Sequence, residues 1–175
     1  YLVQQTWDHR EYKHQFHGIT LTEFDTATMR LKPETARTIW MGDDVKLVEG
    51  PHLYKINGWY YLFCAEGGTV WTHQESVARS RTLDELSFEA SPTNPFITNF
   101  DIPGSYLQKQ GHGALVDTPS GEWYYASLCG RPWHHETESF TDPRGWCTLG
   151  RETSIQKVEW AEDGWPYIVG GHGGE

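Results

Sequence analysis

The sequence is poor in residues that staple a fold, span a membrane or hold a polyanion. Its three cysteines, Cys64, Cys129 and Cys147, are odd in number and none stands in a CxxC pair. That argues against a disulfide framework or zinc ribbon and reads as reduced thiols packed in strands. Lys and Arg number 14 against 24 Asp and Glu, a formal net charge of −10. The clustered cations that neutralise phosphates are missing, which argues against nucleic acid as a partner. No run approaches the ~18 apolar residues of a membrane helix, and no basic-then-apolar leader opens the chain. The unpaired thiols and missing leader favour a cytoplasmic location, although a chain that starts inside a hairpin says little about its leader.

Rings and turn formers are abundant: nine Trp, nine Tyr, 18 Gly and nine Pro in 175 residues. This is the composition of an all-β domain. A hairpin unit repeats within it. Glu49-Gly50-Pro51-His52 opens a strand that turns at Asn57-Gly58 into Trp59-Tyr60-Tyr61. Gly111-His112-Gly113 opens another, turning at Ser120-Gly121 into Trp123-Tyr124-Tyr125. Residues 153–160 lead through Asp163-Gly164 into a third pair at 165–169. Pro166 marks an edge or an irregular strand start there, because proline cannot donate to a ladder. Residues 1–5 match the second strand of a unit whose first strand is absent. Repeated hairpins with Glu49 and His112 at matching inner positions describe a β-propeller with a polar central site. At ~40–60 residues per blade the chain holds about three blades, entered mid-blade. An unclosed array exposes strand edges, so a companion chain or copies of this chain are expected to close the ring, the third alternative being that the chain is a gene fragment.

Other polar clusters carry less. His9, His14 and His17 lie close together without a Cys or second ligand pair, so a solvated connecting loop is expected rather than a zinc site. His134, His135, Glu136 and Glu138, between Arg131-Pro132 and Asp142-Pro143, read as a long loop over the funnel. Asp43-Asp44 reads as a turn.

Four segments agree in order and spacing: 49–62 (EGPHLYKINGWYYL), 65–69 (AEGGT), 107–112 (LQKQGH) and 149–160 (LGRETSIQKVEW). They resemble the β-xylosidase and α-L-arabinofuranosidase branch of glycoside hydrolase family 43 over nearly the whole chain. The resemblance implies a five-bladed propeller with its site in an axial funnel. It also implies release of terminal xylose or arabinose from xylan-derived oligosaccharides with inversion. In that chemistry a carboxylic acid protonates the leaving oxygen while an opposed carboxylate activates water. Glu49 is then the general acid, needing burial or a neighbouring charge to keep its proton. Arg151 reaches the sugar beside the cleavage point. His112 lies near the axis and holds a hydrated calcium ion through ordered water, since calcium prefers oxygen ligands. Thr69 belongs to a loop near the sugar pocket, where Gly67-Gly68 let backbone come close. The family's base aspartate and its second, pKa-tuning aspartate have no matching motif here, and the C-terminal β-sandwich of this branch is absent. Residues 1–175 are therefore read as a partial catalytic propeller. Two functions follow from different classes. One is a glycosidase to which this chain supplies the acid; the other is a catalytically incomplete sugar-binding or assembly module needing a companion chain. Preference between xylose and arabinose is not legible.

Overall fold

The computed structural model describes residues 1–10, 13–43, 45, 47–133 and 144–174. Among these every regular element is a strand. The first sheet runs β1 (Leu2–Arg10), β2 (Lys13–Asp25), β3 (Arg30–Trp40), antiparallel in chain order. The second runs β4 (Glu49–Ile56), β5 (Trp59–Glu66), β6 (Gln74–Ser80), β7 (Glu89–Ala90), with short β8 (Ile97–Thr98) also on β6. The third holds β9 (Gln108–Asp117), β10 (Trp123–Gly130), β11 (Glu152–Trp160) and β12 (Pro166–Ile168) in the same progression. The hairpins at 49–61 and 111–125 fall in separate sheets, whereas the third, at 153–169, does not make a unit of its own but completes the sheet of the second; Pro166 opens its edge strand β12. Asn57 and Gly58, with φ 49° and 78°, form the left-handed two-residue turn that matches the twist of the strands it joins.

Alternation along β5 explains how the sheets stack. Tyr61 and Phe63 point into a cluster with Val77, Phe96, Leu115, Tyr125, Val158 and Trp165. Leu62 and Cys64 point the other way, into Ile19, Leu21, Ile39, Val48 and Phe88. Successive residues of a strand face opposite sides, so one strand fills the seams toward both neighbouring sheets. Burying each large apolar side chain contributes about 1.5–3 kcal/mol.

Three further expectations change. His9 lies on β1 and His14 and His17 on β2, so that segment is a long hairpin and not a connecting loop. Trp7 pairs with Phe16 across it, with ring centroids 5.4 Å apart, and stacks on His9 at 5.1 Å. Cross-strand ring contact extends pairing where polarity alone suggests a loop. Cys64 and Cys129 are buried strand thiols, but Cys147 lies outside any strand, and all three are free. Asp43 lies in a bend and accepts a hydrogen bond from Asn94 Nδ2 at 2.6 Å. Asp44, the 134–138 cluster and Asp142-Pro143 fall outside the described residues.

Candidate active site

Glu49 is half-buried at the start of β4, opposite Ala65. The ladder slips between Glu49 and His52, and Gly50 has φ 56°. A bulge of this kind bends a strand entrance and re-aims its side chains. Glycine is required twice over at position 50. Besides the left-handed backbone, a Cβ there would lie 2.6 Å from His112 Cδ2 and 2.9 Å from Cε1. The His112 ring fills the space a side chain would take, which brings the 49–52 motif against the 111–113 motif.

His112 reaches that place from a kinked stretch of β9. Lys109 and His112 are both left-handed, with φ 56° and 52°, and the β9–β10 register shifts twice here. The second sheet grips the kink. Glu75 Oε2 on β6 accepts the His112 N–H at 2.7 Å, and the Tyr54 hydroxyl on β4 accepts the Leu115 N–H at 2.9 Å. Glu75 is fully buried. Burial pushes its carboxyl up to about 8, against the pull of the Tyr125 hydroxyl and the His112 and Gly113 amides.

Arg151 joins the same cluster from the residue before β11. Its Nη2 donates to the Lys109 carbonyl at 2.8 Å and lies 3.1 Å from His73 Nδ1. His73 Nδ1 is also 2.9 Å from the Lys109 carbonyl, so the ring either donates to that oxygen or accepts from Arg151. Burial lowers the His73 pKa to about 4, and the imidazole is neutral at ordinary pH. Arg151 Nε and Nη1 are buried with no partner among the described residues. Leaving such charged donors unsatisfied costs free energy. Trp71 borders the cluster, with Lys109 Nζ 4.2 Å from its ring centroid.

The structure therefore brings the Glu49 bulge, His112 and Arg151 into one contact chain. Thr69 is exposed on the turn after β5 and has no hydrogen bond to Glu49, His112 or Arg151 among the described contacts. Sequence reasoning missed Glu75, His73 and Lys109. The only available signal was a polar triplet, His73-Gln74-Glu75, leading into a strand. Its burial depends on the neighbouring sheet.

Calcium takes 6–8 oxygen ligands. His112 offers nitrogen, and the buried Glu75 carboxyl accepts the His112 N–H through Oε2 while its Oε1 has no partner among the described residues. No group of three His, Cys, Asp or Glu that could hold a metal occurs among the described residues. One imidazole and one unpartnered oxygen fall far short of a calcium shell, so the residues present do not make a cation site by themselves.

The sequence model of glycosyl hydrolases family 43 matches residues 1–166. The chain belongs to that family. It is 47% identical to a β-xylosidase of Bacillus subtilis (strain 168), covering 99% of this chain and 32% of that protein. It is 44% identical to xylosidase/arabinosidase 43B of Humicola insolens, over 98% of this chain and 30% of that one. The crystal structure of a xylan β-1,4-xylosidase from Bacillus halodurans C-125 superposes with a TM-score of 0.84 at 46% identity, covering 98% of this chain and 31% of that one. The chain thus spans about a third of the length of these relatives. Its three sheets are part of the five-bladed β-propeller of the family.

Proposed function

We propose that this family 43 chain carries the acid side of the active site of a glycosidase that removes terminal xylose or arabinose from xylan-derived oligosaccharides. Glu49 protonates the leaving glycosidic oxygen. Arg151 offers Nε and Nη1 to the hydroxyls of the sugar beside the cleaved bond, and His112 lines the same pocket. The carboxylate that activates water for an inverting attack comes from polypeptide outside these 175 residues. The observation that carries this reading is the meeting of three sequence-distant motifs. Gly50 lies under His112, His112 hangs from the β9 kink, and Arg151 is bonded to that kink.

The test separates proton donation from binding. In the active assembly, Glu49→Gln should cut turnover of substrates with poor leaving groups by roughly 10²–10⁴-fold. Aryl glycosides with activated leaving groups should suffer far less, because they need little protonation. Equal loss on both classes assigns Glu49 to binding or folding instead.

Assembly is a second proposal. Among the described strands β1 pairs only with β2, leaving an edge for a strand of a companion segment or another copy. A monodisperse, cooperatively folded monomer in ultracentrifugation at micromolar concentration rules it out.

A further inference from the structure

We infer that Glu75 is a positioning residue for this site: its buried carboxyl holds the left-handed turn at His112 and thereby sets both the His112 ring over Gly50 and the Lys109 carbonyl under Arg151. The inference rests on the glycosidase proposal for its catalytic consequence, but not for its geometry.

Three observations meet at Glu75. First, His112 is a non-glycine residue with φ 52°, a conformation that costs about 1–2 kcal/mol and persists only where the surroundings enforce it. Second, Glu75 Oε2 takes the His112 N–H at 2.7 Å. That acceptor comes from β6 of the adjacent sheet, so the left-handed turn is tied to a strand outside its own ladder. Third, Glu75 has no exposure to solvent, so no water replaces it when it is removed. The His112 amide would then lose its acceptor, the kink would lose its reason to stay left-handed, and β9 would relax toward a regular strand. Relaxation carries the His112 ring off Gly50 and moves the Lys109 oxygen from Arg151 Nη2, although Glu75 itself touches neither sugar nor reacting atoms. Tyr54, bonded to Leu115 at 2.9 Å, anchors β9 beyond the kink. The rest of the strand therefore stays in place while residues 109–113 shift.

The test has an arm independent of activity. In the unmodified 175-residue chain, hydrogen exchange followed by NMR should show the His112 amide protected. A His112 amide exchanging at the rate of an open loop overturns the proposal without any variant. Glu75→Leu, which keeps bulk but removes the acceptor, should expose that amide while the β5–β6 ladder stays protected. Glu75→Gln, which keeps an acceptor oxygen, should leave it protected. In the active assembly, Glu75→Leu should lower kcat roughly 10²-fold, the scale of a 1 Å misplacement, with KM little changed. Glu75→Gln should restore most of the loss. If Glu75→Leu only lowers the melting temperature and turns over normally per folded molecule, Glu75 is structural and the inference fails. If Glu49→Gln is fully active, the glycosidase proposal fails, and the exchange measurement still decides whether Glu75 holds His112.

Discussion

At the scale of single residues, the site depends on what is missing at position 50 as much as on what is present at 49 and 112. A methyl group at Gly50 meets the His112 ring, and the backbone there is left-handed. Gly50→Ala should therefore destabilise the fold by about 1–2 kcal/mol from backbone strain alone. It should also displace His112, so activity falls further than stability. Denaturant unfolding together with kcat measures both. A variant that loses stability but keeps full turnover would mean the Gly50–His112 contact is packing only. The glycine was visible within the EGPH motif; its reason was not, because the ring that needs the space comes from another sheet.

At the scale of elements, the second and third sheets are joined by stacked cations. The Arg79 guanidinium on β6 lies 4.3 Å from the Trp59 ring centroid and 3.9 Å from that of Trp165. Arg81 covers Trp59 as well, at 3.7 Å. Arg79 also donates to the Asp163 carbonyl at 2.8 Å and pairs with Glu89 at 3.0 Å. Because its side chain is largely buried, Arg79→Ala should cost about 2 kcal/mol. Arg79→Lys should recover only part, since a compact ammonium cannot stack as a plane. Urea unfolding tests it, and an Arg79→Ala chain as stable as the parent would show that the stack contributes nothing. The turn at Asp163-Gly164 was legible as a hairpin turn. That its carbonyls also receive Arg79 and the Tyr61 hydroxyl was not, since both partners lie in a different repeat.

For the whole molecule, two buried titrating groups shape stability against pH. The Glu75 pKa rises from 4.5 to about 8 on folding. Its contribution is complete below 4.5 and is lost as pH climbs through 8. The His73 pKa falls from 6.5 to about 4, so its contribution is complete above 6.5 and is lost as pH drops through 4. Between 4.5 and 6.5 the two slopes offset each other. Above 6.5 the His73 slope is spent and the Glu75 slope remains, so stability should fall as pH rises from 6.5 to 8. Glu75→Gln should abolish that fall. Equal alkaline losses in parent and variant, measured by denaturant titration at the two pH values, would place the titrating group elsewhere.

The all-β class, the repeating hairpins and the family were legible in one dimension. Those are local properties: strand alternation, turn chemistry at Asn57-Gly58, and short motifs whose order survives in one dimension. Sequence reasoning misread His9, His14 and His17 as a connecting loop, because the Trp7–Phe16 contact that extends the hairpin acts across strands. Which motifs touch was settled by the stacking of the sheets. The His112 ring against Gly50, the Arg151–His73–Lys109 contacts and the buried Glu75 all cross from one sheet to the next. The physical reason is that a carboxyl reads as solvated in sequence until a neighbouring sheet removes its water and supplies its hydrogen bonds.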